Sequence, residues 1–165
     1  MLNVPEFIIV HHTGGTEADP LADTSHHTFE IVKQAHLARN FEDIGYHYFI
    51  NKAGKIIAGR AENYHGAHTK GYNQRSIGIC LAGNFDQTLP TREQESALQA
   101  LLGLLKDKYN IPKENIVPHR NFANKTCYGR RLADDWAQKL VPEDTRKTQV
   151  LEALKGVEKL INELY

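Results

Sequence analysis

The sequence predicts a single α/β domain in which helices flank a central mixed β-sheet. The chain has 165 residues, which is within the usual size of one domain. Short apolar runs typical of buried strands alternate along the chain with longer segments of helical periodicity. One pair of strand-like runs is separated by a tight turn, which adds an antiparallel hairpin to the expected sheet.

Three apolar runs are predicted to form strands in the interior of the sheet. Residues 7–10 form a short β-branched and aromatic run that ends at His11. Residues 76–82 are almost continuously apolar, which favours a central strand covered on both faces. Residues 116–117 form a brief strand that leads to His119. Because sites in α/β sheets are built at the carboxyl ends of strands, both histidines are candidate functional residues.

The hairpin is predicted over residues 46–51 and 55–58, with its turn at Ala53 and Gly54. It is followed by the segment NYHGAHTKGYNQR, which is rich in Gly, Asn and His. Such a composition indicates a surface loop of the kind that carries function.

Three segments are predicted to be helices. Residues 28–40 place apolar side chains on one face and begin with a threonine that can serve as the N-cap. Residues 91–109 begin with a capping box formed by Thr91 and Gln94 and continue in clear helical spacing. A short helix over residues 132–140 is expected to close the domain.

Residues 143–165 have the pattern of an amphipathic helix with one apolar stripe. We find no chemistry in this segment. We expect it to dock on the domain or on a second copy of the chain, or to act as a linker. The sequence is therefore divided into a catalytic domain, residues 1–142, and this C-terminal extension, which is a potential self-association surface. The oligomeric state is left open.

Composition and charge argue against several classes of function. Lys plus Arg and Asp plus Glu number 20 each, so the net charge of zero gives no field for binding nucleic acid. No apolar stretch reaches the roughly 20 residues of a transmembrane helix. The first ten residues lack the basic segment of a signal peptide. We therefore expect no membrane insertion, and synthesis in the cytoplasm without a signal peptide.

Nine histidines and two cysteines direct attention to metal chemistry. Cys80 lies in the apolar run IGICLAG, and we interpret it as a small buried hydrophobe. Cys127 lies instead in a polar loop, eight residues beyond His119. Hydrolytic zinc sites use three protein ligands and leave a fourth position for water. His11, His119 and Cys127 are candidates for such a set, although their spacing alone is not a compact motif.

Four segments together are more specific than any one of these residues. They are FIIVHHT, DIGYHYFI, GAHTKGYNQRSIGICLAGNF and PHRNFANKTC, spread over about residues 7 to 140. In order and spacing they resemble the zinc-dependent type 2 N-acetylmuramoyl-L-alanine amidases, a family that includes phage lysins and peptidoglycan recognition proteins. The resemblance is greatest to single-domain phage endolysins. It implies the amidase or peptidoglycan recognition protein fold for this domain.

The resemblance also implies roles for individual residues. The three residues that match the family's zinc ligands are His11, His119 and Cys127. Tyr46 and Lys125 match polar groups that act on the substrate in the phage members. Many members have proline directly after the cysteine, whereas this chain has Tyr128. The geometry of the cysteine loop is therefore a point for the structure to decide.

Elementary chemistry supports these roles. Two neutral imidazoles and one thiolate leave a zinc site with net positive charge, which lowers the pKa of a bound water towards neutrality. Attack of hydroxide on an amide builds an oxyanion, which the Lys125 ammonium and the Tyr46 hydroxyl can stabilise. Both groups have ordinary pKa values of about 10, so they suit acid work better than base work. The general base is not assigned.

Further residues are candidates for the substrate groove. His68 lies in the segment that lines the groove in the family. Asn73 and Arg75 can shape the groove, but turn formation explains both equally well.

The remaining histidines are expected to have structural roles or no role. His47 alternates with Tyr46 along the predicted strand, so it should point to the opposite face and contribute to the core or to the support of the site. His36 lies on the first predicted helix and is expected to be structural or half-exposed. Three others are interpreted as loop residues without a role, namely His26, His27 and His65.

The expected function is zinc-dependent hydrolysis of the amide bond between N-acetylmuramic acid and the L-alanine of the peptidoglycan stem peptide, that is, cell-wall lysis. The expected partner is bacterial peptidoglycan, reached after release from the cytoplasm as by a phage lysin. One alternative is a non-catalytic peptidoglycan-binding module of the same fold. Recognition-only members commonly lack the third ligand, so the presence of Cys127 favours the enzyme. A second alternative is an amidase that acts on soluble muropeptides.

Overall fold

The computed structural model describes residues 2–142, and the predicted amphipathic helix of residues 143–165 lies outside the described residues. The described part contains one five-stranded sheet with the strand order β3-β2-β4-β1-β5. In chain order, the elements are β1 (Phe7–His12), α1 (Phe29–Leu37), β2 (Tyr48–Ile50), β3 (Ile56–Ala58), β4 (Ser76–Leu81), α2 (Arg92–Tyr109), β5 (Ile116–Pro118) and α3 (Trp136–Leu140). Short 3-10 turns precede and follow β5 at Lys113–Asn115 and His119–Asn121.

The sheet is mixed, as predicted. β1 pairs in parallel with both β4 and β5, and β2 pairs in parallel with β4. β3 pairs antiparallel with β2, which forms the predicted hairpin. Because β1, β4 and β5 run in the same direction, their carboxyl ends lie at one edge of the sheet.

Helices cover both faces of the sheet. Ile79 of β4 belongs to a large buried cluster that includes Leu98 and Leu102 of α2. The next residue, Cys80, belongs to a second buried cluster that includes Val32 of α1. This alternation follows from the two-residue period of a strand. It also shows why β4 is apolar at nearly every position, and it places Cys80 in the core as expected.

The ends of β1 and β2 differ from the prediction. β1 continues through His11 and His12 because these residues still pair with Cys80 and Leu81 of β4. His11 therefore lies within the strand rather than beyond it. Regular β2 begins only at Tyr48, although residues 46 and 47 still accept backbone hydrogen bonds from residues 60 and 59.

Two helices are shorter than predicted. α1 ends after Leu37 because Asn40 adopts a left-handed φ of 63° and the Phe41 amide donates to the His36 carbonyl, which closes the helix. α3 begins at Trp136 rather than at residue 132. The carbonyls of residues 132–134 are engaged by side chains instead, namely those of Arg120 and Tyr128. No helix within residues 2–142 is long and apolar enough to cross a membrane.

One carboxylate joins β2 to the end of α2. Glu62 accepts hydrogen bonds from the hydroxyls of Tyr48 at 2.6 Å and Tyr109 at 2.5 Å. The Lys108 ammonium lies 3.1 Å from the same carboxylate. Partial burial alone would raise the pKa of Glu62, but these hydrogen bonds and the cation outweigh it and hold the pKa below its usual value.

Tyr128 anchors the loop that precedes α3. Its side chain is fully buried, and its ring packs edge-on against Trp136 at a centroid distance of 5.3 Å. Its hydroxyl donates to the carbonyl of Asp134 at 2.7 Å, and the Ala133 carbonyl lies at 3.1 Å. Burial raises the pKa of this hydroxyl, so it remains a hydrogen-bond donor.

We predict that Tyr128→Phe lowers the free energy of unfolding by about 1–2 kcal/mol, because buried carbonyls lose their donor. Tyr128→Ala should cost about 3–5 kcal/mol, because it also leaves a cavity. Urea unfolding followed by the fluorescence of the single tryptophan measures both effects. Tyr64→Phe is the control, since Tyr64 is 58% exposed. Equal effects of the two Tyr→Phe changes would contradict the anchoring role.

We also predict a pH-dependent contribution from Glu62. The pKa of Glu62 is lower in the folded state, so its stabilising effect is present above about pH 5 and is lost as the pH falls through the folded pKa. The stability difference between wild type and Glu62→Gln should therefore shrink between about pH 7 and pH 3. Unfolding titrations at several pH values test this, with the exposed Glu42→Gln as control. A difference that is constant with pH would refute it.

Candidate metal centre

Three side chains of types that can bind a metal converge at the carboxyl edge of the sheet. The donor atoms of His11, His119 and Cys127 all lie within 4.8 Å of one another. His11 Nδ1 is 3.7 Å from Cys127 Sγ, and the rings of His11 and His119 have a centroid distance of 4.5 Å. Tetrahedral zinc with these ligands requires donor separations of about 3.3–3.6 Å. Small side-chain adjustments would therefore close the set around the ion, and no other such cluster occurs within residues 2–142.

The fold explains why the two histidines meet. β5 lies next to β1 in parallel, and Val10 pairs with Pro118 in the register of the two strands. His11 and His119 are the next residues along the two strands after this pair. The two histidines therefore lie side by side, at the carboxyl ends of neighbouring strands. His11 is only 1% exposed, which makes its imidazole the floor of the site.

The cysteine loop is tied to the residue that follows the second histidine. The Arg120 amide donates to the Cys127 carbonyl at 2.7 Å. The Arg120 guanidinium donates to the carbonyls of Gly129 and Leu132, each at 2.7 Å, and stacks over the Tyr128 ring at 5.2 Å. Arg120 thus connects the His119 position to both sides of the cysteine.

A carboxylate holds the loop from the other side. Asp86 accepts a hydrogen bond from the Thr126 hydroxyl at 2.7 Å and another from the Arg130 amide at 2.7 Å. Asp86 follows β4, so the loop is attached to the central strand as well as to β5. The peptide bond between Cys127 and Tyr128 is cis. Tyr128, which stands where the resembling family often has proline, is fully buried, and Cys127 Sγ faces Nδ1 of His11.

The electrostatics suit neutral imidazole ligands. Burial, together with the neighbouring imidazoles of His68 and His119, holds the pKa of His11 well below its usual value. Burial and the nearby Lys125 cation lower the pKa of His119 to about 4. Both rings therefore carry a free lone pair at neutral pH. Burial raises the pKa of the Cys127 thiol to about 12, so binding of a metal at Cys127 would release a proton.

The two residues expected to act on the substrate lie beside this cluster. The Tyr46 ring is 5.0 Å from the His11 ring and lines the cleft next to it. Burial raises the pKa of Tyr46 well above its usual value, so the hydroxyl stays protonated. Lys125 is exposed and lines the same cleft from the cysteine loop. Both are placed where they can donate to a ligand in the cleft.

The three candidate groove residues have different positions. His68 lines the cleft, and its Nδ1 lies 3.0 Å from Nε2 of His11, so it contacts a ligand candidate directly. Asn73 also lines the cleft, but its side-chain oxygen accepts from the amides of His68 and Thr69 and shapes the loop. Arg75 is not brought to the cleft. Its guanidinium pairs with Glu6 and stacks on nearby aromatic rings at the surface.

The other histidines are structural where they are buried. Nδ1 of His47 accepts from the Gly78 amide, and its Nε2 contacts the Tyr64 carbonyl at 2.9 Å. His36 is buried rather than half-exposed, because its Nδ1 accepts from the Gly45 amide at 2.8 Å. Nδ1 of His12 accepts from the amide of Phe85. Each ring satisfies a backbone donor that would otherwise be buried without a partner.

Residues without a role in the sequence analysis also support the site. Arg120 and Asp86 hold the cysteine loop, and Ser76 contacts His68. The sequence could have pointed to two of these residues only because they are next to family motifs. Arg120 follows His119 in PHRN, and Asp86 follows the GNF motif. Adjacency does not reveal the contact partners, which lie up to 44 residues away.

The three candidate metal ligands line a cleft with a volume of about 1190 Å³. Its lining includes residues of α1 and of the segment that follows it, among them Arg39. It also includes the segment after β1 with Glu17, the loop with Lys70, and the cysteine loop with Lys125. The volume suits an extended ligand of several residues rather than a small ion alone.

Comparison with known proteins shows which families the chain resembles. A profile described as N-acetylmuramoyl-L-alanine amidase matches residues 1–130. The endolysin of Enterobacteria phage K11 is 38% identical over 101 residues, which cover 58% of this chain and 66% of the endolysin. The chain thus spans slightly less than two thirds of the K11 protein.

Two further proteins match over more of the chain. Peptidoglycan-recognition protein SD of Drosophila melanogaster is 36% identical over 134 residues, which cover 78% of this chain and 69% of that protein. The solved structure of N-acetylmuramoyl-L-alanine amidase LysC from Clostridium intestinale URNW superposes with a TM-score of 0.69 at 32% identity, covering 80% of this chain and 83% of that one. These matches confirm the predicted resemblance: the chain belongs to the N-acetylmuramoyl-L-alanine amidase family.

Proposed function

We propose that this protein hydrolyses the amide bond between the lactyl group of N-acetylmuramic acid and the L-alanine of the stem peptide, using zinc held by His11, His119 and Cys127. The observation that carries the proposal is the convergence of these three donors at the floor of a large cleft. Three protein donors leave one tetrahedral position for water or substrate, which is the arrangement of a hydrolytic rather than a structural site.

Zinc at this position would supply an activated water and a Lewis acid for the amide carbonyl. The protein's own residues would manage the charge and the protons. Tyr46 remains protonated and can donate a hydrogen bond to the oxyanion that forms on the carbonyl oxygen. Lys125 adds a positive charge close to His119 and Cys127 and can pass a proton to the departing amine of L-alanine.

The proposed substrate is bacterial peptidoglycan, and the proposed setting is that of the phage endolysins among the relatives. A non-catalytic peptidoglycan-binding module is the alternative suggested by the recognition proteins among the relatives. The complete donor set beside Tyr46 and Lys125 favours catalysis over binding alone. Soluble muropeptides are the alternative substrate, because they contain the same amide bond.

Mass spectrometry of digested peptidoglycan tests the proposal directly. An amidase releases free stem peptides with an L-alanine amino terminus and leaves the glycan strands intact. New reducing ends on the glycan, or binding without release, would refute it. Parallel digestion of intact walls and of purified muropeptides separates the two substrate forms.

We predict that Cys127→Ser reduces the zinc content from about one ion per chain and lowers stem-peptide release by more than about a hundredfold, because a direct ligand matters more than the residues that support it. Elemental analysis and the mass-spectrometric assay measure the two effects. His26→Gln is the control, since His26 is an exposed histidine in the loop before α1. Full zinc content and turnover in Cys127→Ser would contradict the assigned ligand.

We predict that Lys125→Met keeps the zinc but lowers kcat by about 10²–10³, as expected for loss of a group that stabilises the oxyanion. Lys125→Arg should recover part of this loss because it restores the positive charge. The matched control is Lys55→Met, an exposed lysine next to β3. An unchanged kcat in Lys125→Met would exclude the residue from the reaction.

A further inference from the structure

We propose that His68 is a positioning residue that sets which ring nitrogen of His11 carries the proton, so that the Nδ1 lone pair of His11 faces the metal position. The placement of the proton is a property of the metal-free protein. Its consequence for zinc rests on the proposed function.

The two nitrogens of His11 have different neighbours. Nδ1 faces the candidate ligands and lies 3.7 Å from Cys127 Sγ. Nε2 lies 3.0 Å from Nδ1 of His68. A neutral imidazole carries one N–H, so either nitrogen can hold the proton unless the surroundings decide. Only the form with the proton on Nε2 leaves Nδ1 available as a ligand.

A chain of hydrogen bonds decides between the two forms. It ends at the Tyr72 carbonyl, which can only accept, and the Ser76 hydroxyl donates to it at 2.7 Å. With its proton committed there, Ser76 Oγ is left to accept from His68 Nε2, which lies at 3.4 Å. The proton of neutral His68 is therefore on Nε2, and its Nδ1 is the acceptor for the N–H of His11.

The Thr69 hydroxyl contacts both rings, and it lies closer to His68 Nδ1 than to His11 Nε2, which is 3.5 Å away. The Thr69 hydroxyl lies 3.0 Å from His68 Nδ1, where it can act as a second donor to the same acceptor. Thr69 as a donor needs a lone pair, and no proton, on His68 Nδ1. This agrees with the proton position on His68 Nε2 that follows from the Ser76 contact.

The His68 ring is held in a slot built from two glycines. A Cβ at Gly66 would lie 2.4 Å from His68 Cδ2, and a Cβ at Gly78 would lie 2.6 Å from the same atom. The Asn73 side chain accepts from the amides of residues 68 and 69 and fixes the backbone of the loop. The ring is therefore oriented before any ligand binds, as a group that supports a metal ligand requires.

This arrangement differs from a groove residue that touches substrate. Partners that hold the second nitrogen of a ligating histidine typically change metal affinity by about 10–100-fold when removed. We expect His68→Ala to weaken zinc binding within that range, measured by competition with a chromophoric chelator. His68→Gln should recover part of the affinity, because its amide oxygen can still accept from His11 Nε2–H. Ser76→Ala should lower the affinity less than His68→Ala does.

The decisive measurement is the protonation pattern of His11 in metal-free, ¹⁵N-labelled protein at about pH 8, where imidazoles are neutral. Long-range ¹H–¹⁵N correlation spectra distinguish the two forms. We expect a single Nε2–H form in wild type and a mixture in Ser76→Ala. Thr24→Val is the matched control, since the Thr24 hydroxyl is also buried and donates to a carbonyl, that of Gly14. It should leave His11 and the zinc affinity unchanged.

A proton on Nδ1 of His11 in wild type would overturn the inference, and this result needs no variant. Wild-type zinc affinity in a folded His68→Ala protein would overturn it as well. Failure of the proposed function gives a different pattern. In that case peptidoglycan would remain uncut, while the His11 proton and the ranking of zinc affinities would still follow the expectation.

Discussion

Parallel pairing of β1 with β5 is the constraint on which the rest of the site depends. The register that joins Val10 to Pro118 makes His11 and His119 neighbours at the carboxyl edge of the sheet. On its other side, β1 pairs in parallel with β4, which buries His11. Ser76 and Gly78 of β4 lie close to the loop that carries His68. A slip of one residue would turn His11 to the other face and dissolve the cluster.

The third donor depends on a loop rather than on a strand, and this loop is bound to the sheet at several points. Arg120 ties it to the end of β5, Asp86 ties it to the end of β4, and Tyr128 inserts into the core beside α3. These contacts leave Cys127 little freedom, so the candidate donor set is largely assembled in the metal-free protein. Because the donors are preorganised, the free energy of metal binding is not needed to fold the loop.

Burial gives the site its chemical character. It keeps the imidazoles neutral, keeps Tyr46 protonated, and keeps the metal-free Cys127 thiol protonated. The same burial demands that every ring nitrogen have a partner. His11 therefore needs His68, and His68 in turn needs Ser76. The polar groups around the cluster are thus part of how the donors are oriented, in addition to any contact with substrate.

The sequence by itself determined the buried strands, the capped helix α2 and the hairpin, because periodicity and capping are local properties. The three candidate donors were predicted only through the resemblance of four segments to a known family, since their spacing is not a compact motif. The sequence located the end of α1 and the start of α3 only approximately. Asn40 adopts a left-handed conformation that ends α1, and the side chains of Arg120 and Tyr128 bind the carbonyls that precede α3. The tertiary structure alone decided that Arg75 pairs with Glu6 away from the cleft and that His68 meets His11. These pairs are separated by 69 and 57 residues, and contacts over such distances are set by strand register and close packing rather than by local sequence.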